Sequence, residues 1–375
     1  MEKHDPAPLR ILIAPLDWGL GHATRCIPLI RYFLRCGCDV WVASEGRTQQ
    51  LLQQEFPSLT YIALRGYRIR YAATRIGLVC KITAQIPRIL QTVRYEKHWL
   101  RQAVGQFHLD AVVSDNRFGL QHPDIPCVYL THQLRINVPL GRLAEGFLQR
   151  LHYRFINRYG ACWVPDYPGK PNLSGALGHP GRLPSIPLHY LGPLSRLEKK
   201  ARPADNPLLI LLSGPEPQRT LFEEQILHQL ETVRGSAILV RGLPGGGGRV
   251  SPLLTRLTAS GRLVVYDHLP ANLLADVLAS SRWVIARTGY TTVMDMVSLG
   301  KKSILVPTPG QTEQEYLGAY LRAEGIAFTT PQTGFSLEQA LREAAAFDYR
   351  FPTYPEADFR HIVDAWLEHI RRQRV

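Results

Sequence analysis

The stretch Arg10-Ile11-Leu12-Ile13-Ala14-Pro15-Leu16-Asp17-Trp18-Gly19-Leu20-Gly21-His22 decides the fold. An apolar run of strand length, Arg10 to Pro15, is cut off by a turn-rich loop, Asp17 to His22. Ala23 to Cys36 then repeats apolar residues at helical spacing, and Asp39 to Ala43 reads as a second strand. Strand, loop, helix, strand is the opening of a parallel sheet. Downstream, Pro87 to Val104 reads as a long basic helix, and Ala111 to Val113 and Cys127 to Leu130 as short strands. Leu143 to Tyr159 sets Leu143, Phe147, Leu148, Leu151 and Phe155 against Arg142, Arg150, Arg154 and Arg158, a basic amphipathic helix.

Residues 165–207 are rich in Pro and Gly and lack periodicity, which places a domain boundary near Pro193 to Pro203. The βα rhythm then returns. Strands are expected at Leu208 to Leu212, Ala237 to Val240, Leu263 to Tyr266, Trp283 to Ala286 and Ser303 to Val306. Helices are expected at Thr220 to Val233, Ala271 to Ser280, Thr291 to Leu299, Glu313 to Arg322 and Ala357 to Arg371. The fold class is therefore α/β, with two Rossmann-like doubly wound parallel-sheet domains facing a central cleft. Residues 1–192 form the first, 193–206 a linker, 207–355 the second, and 356–375 a helix suited to packing back on the first. Ligands of such sheets lie outside the carboxyl ends of the strands, so the loops after Pro15, Val113, Leu130, Leu212, Ala286 and Val306 are the expected site walls.

Composition agrees with an ordinary globular chain: 375 residues, 45% apolar and 20% charged, with no run of about 18 apolar residues to span a bilayer. The net charge of +13 is one-sided. Residues 1–190 carry 23 Lys and Arg against 12 Asp and Glu, and residues 191–375 carry 21 against 19. Nine basic residues lie from Arg65 to Arg101, and Glu96 is the only acid between Phe56 and Leu109. Such a field attracts an anionic partner, or is a solvated basic face. No nucleic-acid-binding signature accompanies it. Cys26, Cys36, Cys38, Cys80, Cys127 and Cys162 form no CxxC pair or metal spacing, and read as reduced thiols of a cytoplasmic protein.

Arg287-Thr288-Gly289-Tyr290-Thr291-Thr292-Val293-Met294-Asp295-Met296 joins a buried strand to a helix. Free N–H groups there suit a phosphate, and Asp295 suits ribose hydroxyls. The alternative is a threonine cap with Asp295 complementing the helix dipole. Pro307-Thr308-Pro309-Gly310-Gln311-Thr312-Glu313-Gln314-Glu315-Tyr316 makes the next such junction. Gln311, Gln314 and Glu315 could meet sugar hydroxyls, and Thr312 with Glu315 also fits a capping box. The run Pro244 to Arg249 lacks a Gly-Lys-Ser/Thr, so it is no P-loop but a mobile lid or plain linker. No Asp-x-Asp or His/Cys cluster asks for a metal, and no cofactor is expected.

The Arg-x-Gly-x-x-Thr-x-x-acid turn at 287–295, the Gly300-Lys301-Lys302-x-Ile304-x-Val306-Pro307 run and the helix with Gln314, Glu315 and Tyr316 together resemble the C-terminal domain of family 28 glycosyltransferases. The resemblance covers about Leu208 to Arg322 and implies a GT-B fold and transfer of a hexose-type sugar from a nucleotide diphosphate sugar, UDP-linked, to an acceptor hydroxyl, inverting and metal-independent. It implies that Asp295 holds the donor ribose, although Glu is usual there, and that Gln314 and Glu315 contact the donor sugar. Ser213, Gly214 and Arg219 occupy the place of a Gly-Gly-Ser phosphate loop, and His268 and Leu269 that of the nucleobase contact. Gly19, Gly21 and His22 match the family's glycine-rich first loop. His22 is then the candidate general base, the alternative being a helix cap, and Asp115 and His132 are candidates to orient the acceptor or assist it. A lipid-linked acceptor and peripheral contact with an anionic membrane at the inner face of the cell membrane suit the basic half. Two rivals stay open: a nucleotide-sugar 2-epimerase of the same fold and a non-catalytic nucleotide-sugar-binding protein.

Overall fold

The computed structural model describes residues 7–67, 75–136, 142–203, 205–233, 235–353 and 358–374, with the side chains of 75–86, 142–144 and 207 excepted. Arg68, Arg70, Arg75 and Lys81 of the basic run, and Arg142 and Leu143 of the amphipathic one, therefore lie outside the described side chains. The described chain forms two compact units. The first falls within Met1–Lys170, Ala176–Leu194 and Tyr354–Val375, the second within Pro171–Gly175 and Ser195–Thr353. The boundary thus sits at Ser195, and a short piece, 171–175, is contributed to the second unit from what reads in sequence as the first domain.

In the first unit the order is β1 (Arg10–Pro15), α1 (Leu20–Arg35), β2 (Asp39–Ser44), α2 (Gly46–Glu55), β3 (Thr60–Ala63), α3 (Arg75–Phe107), β4 (Ala111–Asp115), β5 (Cys127–Leu130), α4 (Arg142–Ile156), β6 (Ala161–Val164) and β7 (Leu188–Tyr190). The second holds β8 (Asn206–Leu211), α5 (Gln218–Leu230), β9 (Ala237–Val240), α6 (Pro252–Ala259), β10 (Leu263–Tyr266), α7 (Ala271–Ser280), β11 (Ser281–Arg287), α8 (Tyr290–Leu299), β12 (Ser303–Val306), α9 (Thr312–Ala323), β13 (Phe328–Thr329) and α10 (Leu337–Ala346). The last helix, α11 (Phe359–Arg374), returns to the first unit. There Trp366 packs against Phe33 and Trp163, and the Tyr32 hydroxyl donates to Asp364 at 2.7 Å.

Both sheets are parallel throughout, in the orders β3-β2-β1-β4-β5-β6-β7 and β10-β9-β8-β11-β12-β13. Each runs outward in one direction from its first strand and then reverses, so β1 with β4, and β8 with β11, mark the switch points where crossovers leave to opposite faces. At these points the loops splay apart and leave room for a ligand. The register pairs Pro15 with Asp115 and Ala286 with Leu211, so the functional loops of each unit start side by side.

The central strands are apolar on both faces because helices cover both, as in β1, whose Ile11, Leu12, Ile13 and Ala14 are fully buried. One polar knot sits among them. Glu96 accepts from Arg117 Nε at 2.8 Å, from the Tyr67 hydroxyl at 2.9 Å and from Gly119 N at 2.9 Å, all inside the protein. Arg117 also donates to the carbonyls of Pro15 and Arg65, tying the end of β1 to the loop after β3. Burial raises the Glu96 carboxyl above its ordinary range, against the pull of Arg117. The only acid of the basic stretch is thus an internal strut and leaves the surface around it uncompensated. Losing one partner of a buried ion pair leaves the other charge stranded. In chemical denaturation, Arg117→Met is expected to cost the first unit about 3–5 kcal/mol, and Glu96→Gln added to it to recover part of that loss.

Candidate active site

In the first unit the site begins with Gly19. Its φ of 120° lets the chain turn from β1 into α1, a conformation that a side chain would strain. The turn places His22 in the first turn of α1, above the end of β4. Its Nδ1 lies 2.9 Å from Oδ2 of Asp115, which is wholly buried. The His22 side chain keeps 15% of its surface exposed while its Nδ1 is held by the buried carboxylate. Arg25, one turn further on, is also buried and donates to Asp115 Oδ1 and, at 2.8 Å, to Nδ1 of His132. Cys26 Sγ stands 3.9 Å from the same carboxylate.

The electrostatics follow from burial. Burial alone would raise the Asp115 carboxyl, but Arg25 and His22 outweigh it and hold it below the ordinary range. Burial lowers His22, Arg25 adds to that and Asp115 opposes it, with a net value below 6.5. The imidazole is therefore neutral near pH 7, the form a general base needs.

In the second unit, the loops after β8, β11 and β12 are neighbours because their strands are. Gly214, at φ 101°, packs against the Pro307–Gly310 turn: a Cβ there would stand 3.8 Å from Thr308 Oγ1. Gly289 is the N-cap of α8 with no side-chain cap, so neither Thr291 nor Thr292 caps the helix. Thr288 Oγ1 and Thr308 Oγ1 are buried hydroxyls with no hydrogen-bond partner among the described residues. Arg287 is 1% exposed, stacked over Phe222 at 4.2 Å, with Nη2 donating 2.8 Å to the Gln218 carbonyl and Nε unpartnered. Burial lowers its guanidinium to about 10, and no carboxylate among the described residues offsets this.

Other sequence candidates are occupied. Arg219 is clamped by Glu216 and Glu223 at 2.6 Å each, so its charge is already neutralised. Asp295 is 7% exposed and accepts from Ser195 Oγ at 2.6 Å; burial pushes its carboxyl up to about 6. Gln314 accepts from Thr308 N and Glu315 from Gly310 N, both at 2.9 Å, so each braces the turn before α9. The capping box expected at Thr312 is displaced: Gln311 is the N-cap and Glu315 reaches one residue further back. The run Pro244 to Arg249, expected as a mobile lid or plain linker, is tethered at its end by Arg241. Arg241, held by Glu223 and Asp267, donates at 2.7 Å to the Arg249 carbonyl, and a Cβ on Gly248 would collide with Leu243 and Arg241.

Residues 265–359 match the model of the glycosyltransferase family 28 C-terminal domain. An uncharacterized glycosyltransferase of Methanosarcina mazei is 24% identical over 355 residues, covering 86% of this chain and 87% of its own. A Bradyrhizobium diazoefficiens protein named UDP-N-acetylglucosamine--N-acetylmuramyl-(pentapeptide) pyrophosphoryl-undecaprenol N-acetylglucosamine transferase is 26% identical over 191 residues, 48% of each chain. The crystal structure of the glycosyltransferase SnogD from Streptomyces nogalater superposes with a TM-score of 0.60 at 16% identity, covering 97% of this chain and all of that one. The chain is a family 28-like glycosyltransferase of the GT-B fold.

Of the candidates in the first unit of this glycosyltransferase, His22, Asp115 and His132 come together, with Gly19 and Gly21 in the connecting turn and first helical turn. In the second, Ser213, Gly214, Arg287, Thr288 and Gly289 border adjoining loop ends, Thr291 and Thr292 start α8, and His268 and Leu269 follow β10. Arg25 is the residue that sequence reasoning missed. Its signal was slight: an arginine three positions after His22, on the face of α1 that carries Cys26 and Leu29 inward.

Thr308 offers a direct check. Burying an unbonded hydroxyl costs about 1–3 kcal/mol. Thr308→Val is therefore expected to leave the melting temperature of the ligand-free enzyme unchanged or to raise it, as read by thermal shift, whereas a partnered hydroxyl would lower it on removal.

Proposed function

We propose that this glycosyltransferase moves a hexose-type sugar from a uridine diphosphate sugar to an acceptor hydroxyl, in one inverting step without a metal ion. The observation that carries this reading is the His22–Asp115 pair at the switch point of the first unit, a partly exposed imidazole anchored through Nδ1 on a buried carboxylate. His22 removes the acceptor proton as the acceptor oxygen attacks the anomeric carbon. Asp115 is fully buried, which favours a role as ring anchor over that of a nucleophile forming a glycosyl-enzyme. One displacement inverts the carbon.

The leaving diphosphate suits the second unit. The N-terminus of α8, which has no side-chain cap at Gly289, the Ser213-Gly214 turn and the charge of Arg287 would stabilise the negative charge that develops. Uridine is favoured by the UDP-N-acetylglucosamine in the name of the Bradyrhizobium relative. Asp295 would reach a ribose only by yielding its bond from Ser195.

A lipid-linked acceptor is favoured by the surface of the first unit. On α4, Phe147 is 66% exposed on the same side as exposed Arg150 and Arg154, with Arg158 just beyond the helix. On α3, Arg88, Arg94, Tyr95 and Arg101 are exposed while Glu96 points inward. Basic residues around aromatic ones suit an anionic interface. No described helix is long and apolar enough to cross a membrane.

Screening nucleotide sugars by thermal shift identifies the donor, and the assay is then run with and without acceptor. His22→Ala is expected to lower kcat by about 10²–10⁴ with donor affinity kept. The wild-type rate should fall as pH drops below 6.5, through the lowered midpoint of His22, because only the neutral ring accepts a proton. Donor turnover without acceptor would favour a 2-epimerase, and full activity in His22→Ala would end this reading.

A further inference from the structure

Arg25 sits between the two histidines, and nothing in the proposed chemistry gives it a role. Its guanidinium is 1% exposed. It donates to Asp115 Oδ1 and, through Nη1 at 2.8 Å, to His132 Nδ1. Arginine has five donors and no acceptor. At that distance His132 Nδ1 must be the accepting nitrogen, so the ring proton of His132 belongs on Nε2.

His22 has the reverse constraint. Its Nδ1 faces Asp115 Oδ2 at 2.9 Å and Arg25 Nη2 at 2.7 Å. One nitrogen cannot both donate to the carboxylate and accept from the guanidinium. A bare Nδ1 would face the ionised carboxylate lone pair to lone pair. Nη2 carries two protons, one taken by Asp115 Oδ1 and a second that could meet a bare Nδ1. That would leave the ring lone pair against a buried, ionised carboxylate, the costlier of the two contacts. The proton therefore lies on Nδ1, directed at Asp115, and the Nε2 of His22 is bare.

We propose that Arg25 is the positioning residue of this site: by donating to Asp115 and His132 at once it sets the two imidazoles in opposite tautomers, His22 with an accepting Nε2 and His132 with a donating one. An acceptor hydroxyl that meets both rings would then have its proton drawn by His22 while its oxygen is held by His132. The charged and titratable groups facing His22 are Asp115 from β4, Arg25 and Cys26 from α1, and His132 from the loop after β5. The inference adds a partner to the base proposed above, but its test needs no substrate, so it can fail while glycosyl transfer stands, and the reverse.

The measurement is ¹⁵N NMR of the imidazole nitrogens in the full-length chain, with His22→Gln and His132→Gln assigning the signals. In the wild type the His22 proton is expected on Nδ1 and the His132 proton on Nε2. Arg25→Gln should release His132 into a mixture of tautomers and shift the His22 titration midpoint upward, because a neighbouring cation is lost while Asp115 remains. Arg25→Lys keeps a cation for Asp115 but lacks the second arm, so it should restore His22 and leave His132 mixed. Where Arg25→Gln fails to fold, the wild-type tautomers and Arg25→Lys decide. Both protons on the same ring position in the wild type, or unchanged signals of both rings in a folded Arg25 variant, would overturn the assignment.

Discussion

The structure depends on parallel pairing about one reversal in each sheet. Once β4 adds beside β1 on the side away from β2, the crossovers leave to opposite faces, and the loops above Pro15 and Asp115 separate. The reversal between β8 and β11 does the same above Leu211 and Arg287. Helices beginning in those gaps, α1 and α8, direct the positive ends of their dipoles and their first-turn side chains into them. His22 and Gly289 owe their positions to this geometry before any interaction of their own.

Burial decides what the charges do. A formal net charge of +13 suggests a cationic surface, but Arg25, Arg117, Arg219, Arg241 and Arg287 are buried. Arg25, Arg117, Arg219 and Arg241 meet carboxylates: Asp115, Glu96, the Glu216–Glu223 pair, and Glu223 with Asp267. The pairs of Arg25, Arg117 and Arg241 tie separate elements together, whereas those of Arg219 lie within α5 and its lead-in. Exposed cations of the first unit include Arg88, Arg94 and Arg101 on α3 and Arg150 and Arg154 on α4, within the half where composition placed the excess, and others such as Arg47 on α2 and Arg371 on α11.

The sheet architecture was legible because βα units announce themselves by short apolar runs between helical repeats, as in Arg10 to Cys36. Short or weakly patterned elements were not. β7 lies in a Pro- and Gly-rich stretch, β3 is only half-buried, and α10 follows a turn-rich loop. α3 runs from Arg75, through Pro87, where a start at the proline was expected. For the site, turns were easier to read than partners. Gly19 and Gly214 carry positive φ, which glycine signals directly. That Arg219 would be neutralised by Glu216 and Glu223, or Asp295 engaged by Ser195 100 positions away, follows from packing that no local pattern encodes.

The two units treat polarity in opposite ways. Around His22 the charged groups largely satisfy one another: a carboxylate meets two donors, and the guanidinium spans a carboxylate and an imidazole. Such a network is oriented before a reactant arrives, which is the condition under which fixed dipoles lower a barrier without reorganising. Around Gly289 the reverse holds. Thr288 and Thr308 keep unbonded hydroxyls, Arg287 keeps an unbonded Nε, and α8 begins without a side-chain cap. Unsatisfied groups of this kind reduce stability and persist where function uses them. A buried cation backed by carbonyls and an aromatic ring, with no carboxylate beside it among the described residues, is best offset by an anion brought from outside. The charge balance of that region thus favours a phosphate-bearing ligand, while the buried Asp115–Arg25 pair beside His22 already balances its own.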